Sequence, residues 1–377
     1  MSVGRVLAEP QLRVPPVPEQ EIRFARGQGG VRVAWAKHGS GPPLVVVSCW
    51  LSHLQHDWHS PVWRHFLDDL GQFVTLVRYD ERGFGMSDWT VTDFSLDARV
   101  ADFEAVVEAT GYPQVALLGM SSGSAVAMAY AARHPGRVTR LILHGTVAGR
   151  PATFETETDW DEEQTWRSMI RVGWAKEHPV FRRTFTQGFI PGANEEQMRW
   201  FDELQRMASS PENIITSRIA KQAVDIRAEM QRITAPTLIL QAIGDAVVDF
   251  GNALEVIEMI THARLVALDS ANHILLADEP AWPAFLDEVQ AFMEPDRHAM
   301  GASARARQLA VEALSARELD VLRAAAQGLD NEAIAAGLGL SVRTVERHLS
   351  NSYGKLGLSG RAARAAAVAE VLRRGLA

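Results

Sequence analysis

The chain has 377 residues, which exceeds one ordinary domain and suffices for two, and its 47% apolar and 22% charged residues are typical of a globular protein. The single cysteine, Cys49, excludes an intramolecular disulfide and favours a reducing, cytoplasmic compartment. Because the sequence has no apolar run of the kind that spans a membrane or directs secretion, we expect neither a membrane helix nor a signal peptide. The net charge of −8 divides into −12 over residues 1–300 and +4 over residues 301–377, so any contact with nucleic acid is predicted for the C-terminal part.

Short strand-like segments alternate with helical segments over the first 300 residues. After an N-terminal arm (1–20), residues 21–27 and 31–39 predict an opening hairpin. Apolar runs rich in Val, Ile and Leu predict further strands at 43–49, 73–80, 114–120, 140–146, 236–245 and 263–273. Helices are predicted at 61–70, 96–110, 122–134, 251–260 and 280–292. This alternation favours a doubly wound α/β sheet whose parallel strands are covered on both faces.

Residues 146–233 interrupt the alternation, because they contain no strand-like run and their apolar residues follow helical spacing. The segment is rich in large aromatic residues, which are Trp160, Trp166, Trp174, Phe181, Phe185, Phe189 and Trp200. We predict an inserted all-α cap over the carboxyl ends of the strands, where ligands bind in such sheets. Most of these aromatic side chains are expected to pack the cap onto the core, and two or three to line a cavity.

The composition changes near residue 294, where we predict a domain boundary. Residues 294–308 show little periodicity and contain many small or charged residues, which is typical of a linker. We therefore place an α/β domain at 21–295, a linker at 296–311 and a second domain at 312–377.

The segment "LLGMSSGSA" (117–125) predicts a nucleophilic serine. Ser121 lies between Gly119 and Gly123, after an apolar strand and before a helix of small residues. In a Gly-x-Ser-x-Gly turn the serine adopts strained backbone geometry, and a side chain at either flanking position would collide with the neighbouring strand or helix. This context favours a strand-to-helix turn that exposes the Ser121 hydroxyl.

A serine hydroxyl needs a base, and the base needs an orienting acid. Asp245 ends one predicted strand and His273 follows another, and both come after Ser121 in the order Ser–Asp–His that this type of sheet uses. The competing acids are Asp249, one helical turn further from the strand end, and Asp269, predicted to lie within its own strand. We predict Ser121, Asp245 and His273 as the catalytic residues.

Two backbone N–H groups are candidates for an oxyanion hole. Ser122 begins the helix after the nucleophile, where the positive helix end favours a developing anion. Trp50, in the loop after the strand at 43–49, is the second candidate. Ser48 and Cys49 precede Trp50 in this loop.

The same loop contains His53, His56, Asp57 and His59, a spacing that zinc could use. No matching ligands occur elsewhere in the sequence. We therefore predict neither a metal nor a cofactor.

The first 295 residues resemble the α/β-hydrolase superfamily. The resemblance is carried by "GMSSG" (119–123), "YDERGFGMSD" (79–88), "AARHPGRV" (131–138), "GD" at 244–245 and "NH" at 272–273. It implies acyl chemistry on an ester, a lactone, an amide or a related compound. A serine nucleophile, rather than an aspartate, argues against epoxide hydrolases and dehalogenases.

Residues 314–363 resemble the LuxR/FixJ-type helix-turn-helix family. Ser315 and Glu318 form a capping box that opens a first helix with an apolar face of Leu319, Leu322 and Ala326, and Gly328 ends this helix. Asp330 caps a second helix, which ends near Gly337. Ser341 caps a third, whose apolar stripe is Val345, Leu349, Ser352 and Leu356. We predict a small all-α domain of four helices.

The third helix is expected to lie in the major groove of DNA. By resemblance, Thr344 and Lys355 contact phosphates, Glu346, Arg347 and Ser350 face base edges, and Arg343 also belongs to the DNA-contacting set. Arg347 suits a guanine and Glu346 a cytosine amine. Relatives often have lysine where this chain has Glu346 and an aliphatic residue where it has Ser352, and Gly354 weakens the helix end by about 1 kcal/mol. A protein-interaction module is the alternative for this domain.

The two resemblances together imply a cytoplasmic transcription regulator that is expected to bind double-stranded DNA as a homodimer. Its α/β-hydrolase domain is expected to bind a small acyl, ester or lactone ligand that controls DNA binding, with or without hydrolysing it. Two alternatives stay open, an active serine esterase or lactonase with a DNA anchor and a sensor without turnover. The final segment, 361–376, has Ala, Val and Leu at helical spacing and is expected to pack on its own domain or to form a dimer seam.

Overall fold

The computed structural model divides the chain into two compact units, one ending at Met293 and one beginning at Glu294. The residues described are 20–47, 49–147, 149, 156–294, 314–355, 363–364 and 367–368. The predicted N-terminal arm, except residue 20, and the predicted linker at 296–311 lie outside the described residues. No helix among the described residues is long and apolar enough to cross a membrane.

The first unit contains an eight-stranded sheet. Its strands are β1 (Ile22–Arg26), β2 (Arg32–Gly39), β3 (Pro43–Val47), β4 (Thr75–Tyr79), β5 (Val115–Met120), β6 (Val138–His144), β7 (Thr237–Ala242) and β8 (Ala263–Leu268). They lie in the order β1-β2-β4-β3-β5-β6-β7-β8. β1 and β2 form the predicted antiparallel hairpin, with Ile22 opposite Ala36, and β2 runs antiparallel to β4. All other neighbours are parallel, as the apolar runs predicted.

Eleven α-helices are described in this unit. They are α1 (Leu54–Asp57), α2 (Arg64–Gly71), α3 (Leu96–Thr110), α4 (Gly123–Arg133), α5 (Glu157–Gly173), α6 (Val180–Phe189), α7 (Glu195–Ala208), α8 (Pro211–Gln222), α9 (Arg227–Met230), α10 (Phe250–Met259) and α11 (Ala281–Met293). Each of the five helices predicted outside the cap is present, with bounds that differ by at most three residues. The α/β-hydrolase fold expected from the sequence is therefore confirmed.

Helices cover both faces of the sheet, because successive strand residues point to opposite sides. In β3, Leu44 and Val46 belong to one apolar cluster, which includes residues of α2 and α11. Val45 and Val47 belong to a second cluster, with residues of α3, α4 and α10. Each fully buried Val, Leu or Phe side chain contributes about 1.5–3 kcal/mol, so the two clusters dominate the stability of this unit.

Two strands end earlier than their apolar runs. β7 ends at Ala242 and β8 at Leu268, so Asp245 lies in a loop, and Asp269 follows its strand. The prediction that Asp269 lies within the strand was wrong. Beyond the ends of β7 and β8, the two loops that follow these strands are hydrogen-bonded to each other, since the Gly244 N–H donates to the Ser270 carbonyl at 2.9 Å.

Five helices, α5 to α9, stand between β6 and β7 and form the inserted cap. α5 and α7 begin with capping boxes, Thr156 with Asp159 and Asn194 with Gln197. Arg182, on α6, is buried and donates to the carbonyl oxygens of Trp174 and Asp202 at 2.7 and 2.8 Å. Because Trp174 is the C-cap residue of α5 and Asp202 lies within α7, this guanidinium joins three cap helices.

The second unit contains α12 (Ala316–Ala326), α13 (Asn331–Leu338) and α14 (Val342–Lys355). The predicted caps are present, since Ser315 and Glu318 form a capping box and the Asp330 side chain accepts from the Ala333 N–H. Ser341 likewise accepts from the Thr344 N–H at 3.2 Å. Helical backbone is also described at 363–364 and 367–368, and Ala367 packs into the apolar cluster of this unit.

The buried face of α12 differs from the predicted one. Val321, Leu322 and Ala325 are buried, whereas Leu319 and Ala326 are half-buried. The capping carboxylate of Glu318 is buried on the same face, and residues three, four and seven positions after it share its side of the helix. The stripe of α14 buries Val345, Leu349 and Ser352, with the Ser352 hydroxyl donating to the His348 carbonyl at 2.8 Å. Leu356 lies outside the described residues.

Candidate functional site

Ser121 lies at the turn between β5 and α4 in strained backbone geometry. Its φ of 51° is the one positive value at a non-glycine residue among those the structure describes. The Ser121 N–H donates to the His144 carbonyl at 2.9 Å, and the Ser124 hydroxyl donates to the Ser121 carbonyl at 2.6 Å. A Cβ at Gly119 would lie 2.9 Å from the Ser124 Cα. The close packing of strand against helix therefore requires the glycine and holds the serine in the turn.

Both predicted oxyanion donors lie at the same cavity as Ser121. Ser122, predicted as the first residue of the helix, is instead the N-cap residue of α4, which begins at Gly123, and it lines this cavity. Trp50 lines it as well, and its ring stacks on Phe189 of the cap, with centroids 5.6 Å apart. The placement of both residues is compatible with N–H donation to an anion that forms beside Ser121.

Asp245 and His273 form a buried hydrogen-bonded pair. His273 Nδ1 lies 2.7 Å from Asp245 Oδ2. The other oxygen accepts the N–H groups of Val247 and Val248 at 2.8 and 3.0 Å. Burial acts to raise the pKa of Asp245, but the hydrogen bond and charge of His273 outweigh it and keep this pKa below its ordinary value. The pair is thus held with an ionised carboxylate facing the imidazole.

The competing acids face elsewhere. Asp249 is the N-cap of α10 and accepts the Gly251 N–H at 2.8 Å. Asp269 is exposed beyond the end of β8. Of the three candidate acids, Asp245 is therefore the one that the structure brings to His273.

Two residues that contact His273 were not identified from the sequence. A Cβ at Gly145, which has φ +58°, would lie 2.7 Å from His273 Cε1, so the imidazole packs where a side chain would stand. His144 is buried between the carbonyl oxygens of Leu240 and His273, and burial lowers its pKa to about 4. The dipeptide His144-Gly145, near the end of the apolar run predicted as a strand at 140–146, was the one indication in the sequence.

A cavity of about 540 Å³ opens beside Ser121. This volume is within the range of small-molecule sites. Three of the aromatic residues predicted in the cap, Trp166, Phe185 and Phe189, line it. The cap also contacts the loop that carries His273 directly, because the His273 N–H donates to the Phe189 carbonyl at 2.9 Å.

The histidine loop after β3 forms α1 and its flanks. His53 caps α1, its N–H donates to Asp57 Oδ2 at 3.0 Å, and the His56 ring stacks on Trp200 at 3.9 Å. Among the described residues, no group of three or more His, Cys, Asp or Glu side chains is arranged to hold a metal ion. The stack of His56 on Trp200 joins this loop to α7 of the cap.

Asp57 makes the stability of this loop dependent on pH. Burial raises its pKa from 3.8 to about 7, and no described residue bonds its Oδ1. The folded state thus keeps a proton that the unfolded state loses near pH 4. The resulting stabilisation is complete below about pH 4, declines as the pH rises and is lost above about pH 7.

We expect Asp57→Asn, which keeps an acceptor for the His53 N–H, to raise the thermal midpoint more at pH 8 than at pH 5. One pKa unit corresponds to about 1.4 kcal/mol, so the gain at pH 8 should be readily measurable. Thermal denaturation of both proteins at the two pH values checks this expectation. An equal change at both values would contradict it.

The predicted DNA-contacting residues lie on α14. Arg343, Glu346, Arg347 and Ser350 are exposed, and Thr344 is half-buried with its hydroxyl 2.8 Å from that of Ser341. They lie away from the buried stripe of α14, so this side of the helix is open to solvent.

Lys355, predicted to contact a phosphate, is exposed but forms an ion pair. Its Nζ lies 2.7 Å from Glu318 Oε2. Hydrogen bonds from Lys355 and Ser315 keep the pKa of Glu318 below its ordinary value, although burial acts to raise it. A phosphate would therefore share this lysine with the capping box of α12.

We expect Arg347→Ala to weaken binding to a mapped operator by about 1–3 kcal/mol and to relax the base preference at one position. The physical reason is the loss of a guanidinium that can bond a guanine edge in two places. Fluorescence anisotropy on the operator and on single-base variants measures both effects. Arg317→Ala, which removes an exposed arginine from α12, is the control and should leave the base preference unchanged.

Comparison with known proteins shows that two segments of the chain match known families. Residues 42–280 match the family described as alpha/beta hydrolase fold, and residues 312–368 match bacterial regulatory proteins, luxR family. The AB hydrolase superfamily protein YisY of Bacillus subtilis is 30% identical over 240 residues, 62% of this chain and 86% of that protein. 3-Oxoadipate enol-lactonase 2 of Acinetobacter baylyi is 26% identical over 224 residues, 58% of this chain and 78% of that protein. An esterase from Exiguobacterium antarcticum shares the fold, with a TM-score of 0.60 at 24% identity over 72% of this chain and 98% of that one.

Proposed function

We propose that this chain, which belongs to the alpha/beta hydrolase fold family and carries a C-terminal luxR-family DNA-binding domain, is a transcription regulator controlled by a small acyl ligand. One observation carries the proposal. A single chain combines a ligand-sized cavity beside a serine turn with an exposed helix of a DNA-binding family. We propose further that it acts in the cytoplasm and binds double-stranded DNA as a homodimer.

The proposed chemistry assigns one role to each residue of the site. His273 accepts the proton of the Ser121 hydroxyl as the oxygen attacks the carbonyl carbon of an ester or lactone. Asp245 holds the imidazole in orientation and stabilises its positive charge. The N–H groups of Ser122 and Trp50 stabilise the oxyanion. The ester C–O bond then breaks, the leaving oxygen takes the proton from His273, and water hydrolyses the acyl-serine.

The cap is the proposed link between ligand and DNA. A ligand changes DNA binding only if it binds two states of the protein with different affinity. Phe189 lines the cavity and its carbonyl accepts the His273 N–H, so a ligand that contacts Phe189 meets a cap residue bonded to the loop that carries His273. Caps of this kind open and close around ligands.

An active esterase or lactonase with a DNA anchor is the second candidate, favoured by the buried Asp245–His273 pair. Two of the relatives are named as an enol-lactonase and an esterase. Turnover at metabolic rates with no effect on DNA binding would support this candidate. A sensor without turnover would instead keep ligand-dependent DNA binding after Ser121 is removed.

The test is operator affinity with and without a pocket ligand. A thermal-shift screen of esters and lactones identifies the ligand, because binding to the native state raises its apparent stability. We expect a saturating ligand to change operator affinity by about 5- to 150-fold. The Ser121→Ala variant separates binding from turnover. If operator affinity, oligomeric state and promoter output all stay unchanged when the pocket is saturated, the proposal of a regulator fails and that of an enzyme with a DNA anchor takes its place.

A further inference from the structure

Two cations meet at the wall of the cavity beside Ser121. Arg99 comes from α3 under the sheet, Lys221 comes from α8 of the cap, and both line the cavity. They share one carboxylate, since Lys221 Nζ lies 2.8 Å from Glu81 Oε2 and Arg99 Nε donates to Glu81 Oε1. Burial acts to raise the pKa of Glu81, but the two cations outweigh it and lower this pKa to about 2. One ionised carboxylate thus faces two positive charges.

The guanidinium of Arg99 has bonding capacity left over. The side chain is 1% exposed, and its Nη2 donates to the Ser122 carbonyl at 3.3 Å. Its Nη1 is buried and has no hydrogen-bond partner among the described residues. A buried donor without a partner is unfavourable, so this nitrogen marks a place where an acceptor is missing. The bond to the Ser122 carbonyl places the guanidinium one residue from the predicted nucleophile.

The other charged residues that line the cavity have partners. Arg218 lies 2.7 Å from Glu163, which also pairs with Arg167. Glu162 accepts the indole N–H of Trp166 at 3.2 Å. Among the charged residues that line the described part of the cavity, Arg99 is therefore the one that keeps a buried donor without a partner, and Lys221 lies beside it on the shared Glu81 carboxylate.

We propose that Arg99 and Lys221 bind a carboxylate of the ligand, so that the cavity selects esters or lactones that carry a second, anionic end. This inference rests on the proposed binding of an acyl ligand at Ser121. A guanidinium matches a planar carboxylate with two parallel N–H donors, and the ammonium adds charge. The apolar rings of Trp50, Phe185 and Phe189 contact the carbon chain between the two ends.

The test measures binding without turnover, in full-length Ser121→Ala protein. The probes are the monomethyl esters of the straight-chain diacids from succinate to sebacate, each paired with its neutral dimethyl ester. Calorimetry should show that at least one monoacid ester binds about ten- to a hundredfold more tightly than its dimethyl counterpart. Equal affinities at every chain length, or no binding by any probe, would overturn the proposal.

Two substitutions with opposite expected signs identify the residues. Arg99→Gln should remove most of the preference for the acid, whereas Glu81→Gln should increase it, because the two cations lose their internal counter-charge. A gain in affinity cannot arise from loss of folding. Arg264→Gln removes an exposed arginine of β8 and controls for net charge. A preference that survives Arg99→Gln, or falls in Glu81→Gln, would overturn the assignment.

The same probes separate this inference from the proposed function. A carboxylate preference that depends on Arg99 supports the inference even if the bound acid leaves operator affinity unchanged, in which case the regulator proposal fails by itself. If operator binding depends on the ligand but responds equally to neutral and anionic esters, the regulator proposal is supported and the inferred carboxylate preference fails.

Discussion

Replacing Ser121 by alanine will abolish covalent capture of a small organophosphonate and slow the turnover of p-nitrophenyl esters by roughly 10⁴-fold or more. The alanine lacks the oxygen that attacks the carbonyl or phosphorus atom. The serine lies in a turn with φ 51°, and Gly119 allows this turn to pack closely against α4. Alanine keeps the Cβ of serine and lacks only the hydroxyl oxygen, so it fits the same backbone. The loss should therefore be chemical rather than structural.

Intact-mass spectrometry after exposure to the organophosphonate measures capture, and absorbance of the released nitrophenolate measures turnover. Ser40→Ala, at an exposed serine of the same unit, is the control and should keep both. Labelling that persists in Ser121→Ala, or no labelling of the unmodified protein while a pocket ligand still binds, would eliminate the catalytic interpretation.

Replacing Asp245 by asparagine will reduce ester turnover by about 10⁴-fold at neutral pH. Asparagine can still accept the N–H groups of Val247 and Val248, so the loop geometry is expected to persist. Its amide nitrogen, however, can take the place of the oxygen that faces His273 Nδ1. The imidazole then presents the wrong tautomer to Ser121, and its positive charge loses a buried counter-ion.

Asp249→Asn is the matched control, because Asp249 caps α10 and asparagine is an equally good N-cap residue. We expect this variant to retain full turnover and the original thermal midpoint. Kinetics of the two variants on the same p-nitrophenyl ester decide between them. A larger loss in Asp249→Asn than in Asp245→Asn would mean that Asp249, and not Asp245, orients His273.

Prediction from the sequence was most successful where structure depends on near neighbours. α3 begins and ends at the predicted residues, since Ser95 caps it and Gly111 ends it with a φ of +76°. The capping box of α12 was evident from Ser315 and Glu318, which are three residues apart. The buried face of the same helix was not, because both Leu319 and Val321 are apolar and only the packing of α14 and Ala367 determines which side is covered.

By itself the sequence determined the alternation of strands and helices, the interruption that became the cap, the order of Ser121, Asp245 and His273, and the family of the C-terminal unit. Each depends on periodicity, on caps or on motifs a few residues long. Tertiary structure decided which acid meets the histidine, 28 residues away, and which residue backs the imidazole. It also joined Glu81 to Lys221 across 140 residues and left Arg99 Nη1 without a partner among the described residues. Such contacts depend on how strands and cap helices pack in space, and no local pattern along the chain encodes that packing.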